Sequence, residues 1–144
     1  MTSKTKYHFL ILIFILTCCT SQNDYEVIYK IRKQNEDLSN SKLNSEFDSS
    51  AVLFFETGFE KTIVKVKRNN SKIYENTIST EMDVSLADVK NIGLINENIN
   101  NTYVSINNRK YFKIKLSKKY KYAGVNYFRD TVLIEYLNYY PIYD

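Results

Sequence analysis

The side chains most capable of covalent chemistry sit together near the start of this 144-residue chain: its one histidine is His8, and its two cysteines are Cys18 and Cys19. A Ser-His-Asp triad, a Cys-His pair or a His-ligated zinc each needs an imidazole or a thiolate. Past Cys19 the sequence offers neither. Carboxylates are the remaining candidates for proton transfer, and Glu56, Glu60, Asp130 and Glu135 flank expected strands. Glycosidases pair two such groups as acid and base, but nothing in the spacing brings two together here. The expectation is a body that is not an enzyme, with no catalytic residue, no metal and no cofactor.

The reactive end has an organisation of its own. Lys4 and Lys6 give a short positive start, Phe9–Leu16 is an unbroken apolar run, and small or cysteine residues follow, the layout of a secretory signal. The run is too short for a bilayer span, which takes about 20 apolar residues. Leu16-Thr17-Cys18-Cys19 resembles the signal of bacterial lipoproteins, in which Leu stands three residues before a cysteine that is lipidated and becomes the new N-terminus. That resemblance implies a signal peptide over 1–18, lipidation at Cys19, and a lipidated cysteine and tether over 19–24. Cys18 is the alternative register, with Ile15 leading. The membrane is then reached through the N-terminal lipid, since two or more acyl chains anchor stably without a transmembrane helix. Thr20 follows Cys19 where the family commonly has Asp for retention at an inner membrane, so the outer membrane is the expected address in a cell with two.

Removing residues 1–18 takes away Lys4 and Lys6 and no acid, leaving 18 basic against 16 acidic side chains, a charge of +2. So small an excess argues against nucleic acid as a partner. About 125 residues remain, enough for one domain, 25–144, around one hydrophobic core. No cysteine lies within it, so its stability rests on packing rather than disulfides.

The elements read almost entirely as strands. Tyr25–Lys33 alternates, with Tyr25, Val27, Tyr29 and Ile31 on one face. Residues 34–50 read as a solvated loop: Ser39-Asn40-Ser41-Lys42 matches an S-x-x-K pattern without its companion motifs, and Asp37, Ser39 and Ser41 lack the Gly and Glu of a calcium loop. Ala51–Phe59 opens with a continuous apolar run, the mark of a strand buried on both faces. Thr62–Arg68 alternates, and Lys72–Thr80 is a strand with a bulge near Glu75-Asn76. Ser85–Lys90 is predicted as a short helix capped by Ser85. Thr102–Leu116 is a hairpin in which Val104 pairs with Phe112. That pairing has an even sum, so the loop holds an odd number of residues, most simply Asn107–Arg109. A last hairpin joins Tyr120–Tyr127 to Thr131–Leu137 through Phe128-Arg129-Asp130. With three glycines and one proline in the whole chain, the pairs Asn69-Asn70, Asn100-Asn101 and Asn107-Asn108 take the turns. The fold class is all-β: a single antiparallel β-sandwich, or barrel-like domain, of seven to eight strands and at most one short helix.

Eight of the thirteen tyrosines fall at or after Tyr111, and Arg109, Lys110, Lys113, Lys115, Lys118, Lys119 and Lys121 crowd a segment without an acid. Tyrosine combines a large face with a polar tip, suiting sugars or protein partners, and Tyr120, Tyr122, Tyr139, Tyr140, Lys113 and Lys115 are the candidate ligand-binding residues. The plainer account is that tyrosine favours strands and that alternating lysines are a strand's solvent face. The functional expectation is a lipid-anchored cell-envelope protein with a non-catalytic binding or structural domain. Its alternatives are a carbohydrate-binding accessory lipoprotein, with a glycan as partner, and a protein-binding inhibitor or immunity-type lipoprotein, with another envelope protein as partner.

Overall fold

Apolar and polar side chains alternate along most of the chain, and each alternating run has become a strand with one face turned inward. In a computed structural model, residues 24–33, 50–95 and 101–143 are described. The signal, Cys18, Cys19, the loop over 34–49 with its two partial motifs, and Asn100 lie outside them. Nine strands among the described residues form two packed sheets, and no helix is present.

The five-stranded sheet has the order β1 (Glu26–Ile31), β9 (Thr131–Leu137), β8 (Tyr122–Phe128), β2 (Ser50–Phe55), β5 (Asp88–Leu94). The four-stranded sheet has the order β4 (Ser71–Ile78), β3 (Thr62–Arg68), β6 (Thr102–Ile106), β7 (Phe112–Ile114). Between them lies one core: Ala51, Leu53 and Phe55 of β2, Val64 and Val66 of β3, Val104 and Ile106 of β6, Val125 of β8, and Val132 and Ile134 of β9. Each is buried apolar surface contributing at about 25 cal/mol per Å², and the two sheets form a β-sandwich rather than a closed barrel.

Several expectations are met in detail. Val104 pairs with Phe112, as the hairpin parity requires, and Asn69, Asn70, Asn107 and Asn108 all adopt positive φ. Asparagine tolerates this left-handed region better than other residues with a side chain. β2 is buried on both faces. The first strand forms, though as an edge strand: Tyr25 and Val27 pack on the core, whereas Tyr29 is 46% and Ile31 59% exposed.

Four expectations need correction. The residues read as a helix, Ser85–Lys90, instead lead into β5: Glu81 bridges to Leu86, Ser85 has φ of 53° rather than a capping role, and Gly93 has φ of 94°. Val89, Asn91, Ile92 and Gly93 are poor helix formers, and the apolar β2 gains a partner on its open side by pairing with β5. The sandwich is not wholly antiparallel, because β1 runs parallel to β9 and β2 parallel to β8. Those pairs are joined by long crossings rather than hairpins, and alternation carries no record of a partner's direction. The bulge expected near Glu75-Asn76 lies at Ile73, between the Val66–Tyr74 and Lys67–Lys72 pairs. The loop of the last hairpin is shorter than expected, since Phe128 pairs with Thr131 and Arg129, with φ of 57°, and Asp130 make the turn.

Candidate functional site

The outer face of the five-stranded sheet is where carboxylates meet. Val52 and Phe54 of β2 point to that face, and Glu56, next in the alternation, carries it one step past the strand's end. It is 4% exposed. Arg32, just past β1, donates from Nη1 to Glu56 Oε1 at 2.8 Å and from Nη2 to Oε2 at 2.6 Å, the bidentate geometry that makes such pairs strong. The same guanidinium donates from Nε to Glu135 of β9 at 3.1 Å, and its Nη2 also reaches Glu135. Asn126 Nδ2 of β8 donates to Glu56 Oε2 at 2.8 Å, and the Tyr143 hydroxyl donates to Oε1 at 2.6 Å. Gly124 of β8 leaves the space: a Cβ there would lie 2.6 Å from Glu56 Oε2.

The electrostatics follow from this geometry. Burial pushes the Glu56 carboxyl up, but the hydrogen bonds and charge of Arg32, with those of Tyr143 and Asn126, outweigh it and hold the group below its ordinary range. Burial, then the adjacent Glu56 charge, pushes the Tyr143 hydroxyl well up. Burial works to lower Arg32, but its two carboxylate partners overcome that and raise it. Glu56 is therefore held as a carboxylate on the Arg32 guanidinium, closed by the neutral Tyr143 phenol, and Glu135 shares the same guanidinium. A glycosidase needs a protonated acid beside a free carboxylate, and both carboxyl groups here are engaged by Arg32. Asp130 is engaged by Arg109 at 2.6 Å and Glu60 is exposed in a loop. Of the four carboxylates singled out, the fold joins only Glu56 and Glu135.

The candidate tyrosines divide. Tyr122 is fully buried, with a hydroxyl that has no partner among the described residues; it has no face to offer a ligand. Tyr140 packs edge-on against Phe54 at 5.2 Å and Tyr122 at 5.5 Å, and Tyr139 and Tyr143 join the same cluster with Val52 and Leu137. The C-terminal segment thus covers the outer face of the first sheet. Tyr120 stands elsewhere, 6.4 Å from Tyr136, which in turn stacks on Tyr29 at 6.2 Å and 6°. The Tyr29 hydroxyl donates to the Lys113 carbonyl at 3.0 Å, and the Tyr136 hydroxyl accepts from the Lys115 N–H at 3.0 Å. Both rings secure the gap between the sheets.

The lysines define a different surface. Register places Lys72 of β4, Lys67 of β3, Tyr103 of β6 and Lys113 of β7 in one line across the four-stranded sheet. The buried Val66, Val104, Phe112 and Ile114 alternate with them, so the line faces outward. Lys67 Nζ lies 4.3 Å from the centre of the Tyr111 ring and Lys113 Nζ 5.8 Å from that of Tyr103, within cation–π range. Lys65 and Lys72 both reach Glu75. Lys115, Lys118 and Lys119 are exposed nearby. Of these residues, sequence reasoning named Lys113 and Lys115 as candidates and counted Tyr111, Lys118 and Lys119 in the tyrosine and lysine clusters, but missed Lys67 and Tyr103; the alternation of Lys65 and Lys67 with Val64 and Val66 was the one available signal.

A groove of about 180 Å³ is lined by Asp24, Tyr25, Val27, Lys110, Tyr111 and Phe112. That is below the 300–1,000 Å³ typical of small-molecule sites. Among the described residues no cluster of His, Cys, Asp and Glu could hold a metal ion, and no helix is long and apolar enough to cross a membrane. No family model, curated protein or solved structure matches the chain.

Proposed function

We propose that this chain is a lipid-anchored protein of the bacterial cell envelope whose β-sandwich binds a partner without catalysing a reaction. The observation that supports it best is the commitment of the buried Glu56 and the half-buried Glu135 to Arg32, which leaves lysine and tyrosine as the chemistry presented outward. Cys19 carries the lipid in this reading. The Thr20–Asp24 tether spans at most roughly 17 Å fully extended. It ends where Tyr25 is already fastened, its hydroxyl accepting from the Ile106 N–H at 2.8 Å and donating to the Ile106 carbonyl. The sandwich is thereby held close to its membrane, the outer one in a cell with two.

The test is the intact mass of membrane-extracted protein, wild type against Cys19→Ser. The reading expects residues 19–144 plus acyl chains, lost in the variant. A full-length or unlipidated mass from the wild type would overturn the anchor and the envelope address together.

A further inference from the structure

Resting on that reading, we propose that the outer face of the four-stranded sheet docks an acidic polysaccharide, a glycan chain bearing carboxylate groups. Among the described residues, four lysines, Lys65, Lys67, Lys72 and Lys113, share this face with a single glutamate, Glu75. Glu75 takes up Lys65 at 3.0 Å and also Lys72. Lys67 and Lys113 have no acidic partner among the described residues, and their ammonium groups are held over Tyr111 and Tyr103. The rings therefore position the cations in advance, reducing the entropy lost on binding. Strands lie about 4.8 Å apart, which puts Lys67 and Lys113 about 10 Å apart along the line, a span comparable with a disaccharide. A flat face with a row of fixed cations suits an extended chain with repeating anions.

The other polyanions fit less well. A protein interface centres on a buried apolar cluster with aromatic anchors, whereas the rings here already carry lysines. A bilayer would have to meet the end where the tether emerges, at Asp24, and there the cations Arg109 and Lys110 are already taken up by Asp130 and Asp24. Lys67 and Lys72 lie toward the opposite end, beside the Asn69-Asn70 turn.

The experiment uses the mature protein in neutral detergent micelles on immobilised polygalacturonate, with Lys67→Glu/Lys113→Glu compared against Lys33→Glu/Lys90→Glu, which changes the net charge equally on other surfaces. The expected result is retention that weakens with added salt and falls at least tenfold in the first variant alone. Lys67→Gln/Lys113→Gln supplies the same comparison if the reversed pair fails to fold, as judged by circular dichroism. No retention of the wild type, or equal loss in both charge-matched variants, would overturn the surface. Displacement at equal charge concentration by polyglutamate, or by micelles containing phosphatidylglycerol, would assign the face to an acidic protein or a lipid and overturn the glycan. Retention requires no lipid, so a wild type that binds yet lacks acyl chains would sink the anchor and leave this surface standing.

Discussion

The two outer faces of the sandwich obey the same alternation and end in opposite states. On the five-stranded sheet the outward positions of β2 and β8 hold Val52, Phe54, Glu56, Tyr122 and Asn126, and the C-terminal segment covers them. On the four-stranded sheet the outward positions hold Lys65, Lys67, Tyr103 and Lys113, and no described segment covers them. An outward apolar or partly paired group demands a cover, because leaving it in water forfeits its burial and removing its partner strands a charge. An outward lysine demands nothing. The covered face should therefore be sensitive to substitution and the open face tolerant.

The sharpest way to break this contrast is Glu56→Ala. It removes the main partner of Arg32, and the expected cost is about 3 kcal/mol in urea unfolding, as for other broken buried ion pairs. A cost below about 1 kcal/mol would mean that water screens the cluster and the cover is incidental. Gly124→Ala should follow at about 2 kcal/mol, since its Cβ would push into the Glu56 carboxylate and overpack the face. Tyr143→Phe deletes a single hydrogen bond to a charged acceptor and should cost about 1.5 kcal/mol.

Acid sharpens the same comparison. Burial raises Glu56, yet the hydrogen bonds of Arg32, Tyr143 and Asn126 bring its folded pKa below the unfolded value. Its contribution is therefore present above the unfolded carboxylate pKa of about 4.3 and is lost as pH falls through the depressed folded value. Stability measured from pH 7 downward should drop less steeply below about pH 4.3 in Glu56→Gln than in the wild type. Identical slopes would show that Glu56 is not the group responsible. The smallest effect is expected on the open face, where Lys67→Ala should change stability by within about 0.5 kcal/mol. A larger loss there would make the lysine row part of the structure rather than a surface in waiting.

Much of the fold was legible because its signals are local. The alternation of Val64 and Val66 with Lys65 and Lys67, the parity of the Val104–Phe112 hairpin and the asparagine pairs at turns all depend on residues a few positions apart. β5 was misread because Ser85–Lys90 in isolation has a cap, an early acid and apolar residues at helical spacing, and only its pairing with β2 overrides that propensity. The candidate sites were less legible still. Glu56 follows an apolar run and resembles any strand-terminating acid, yet its partners Arg32, Asn126 and Tyr143 are 24, 70 and 87 positions away. Tyr122, Tyr139 and Tyr140 suggested an exposed aromatic cluster; Tyr122 is instead fully buried, and the half-buried Tyr139 and Tyr140 belong to the segment packed over it and Phe54.

By itself, then, the sequence determined an all-β body, the position of nearly every strand, which side chains share a face, and the absence of thiol and imidazole chemistry past Cys19. Those are properties of residue type and of a backbone that turns its side chains over every two residues. Only the tertiary structure decided that β1 and β2 run parallel to their partners, that a buried carboxylate meets its arginine, and that Lys67, Tyr103 and Lys113 stand in line. Each of these depends on which strands become neighbours after long crossings, and the two-residue period of a strand is the same whichever neighbour it finds.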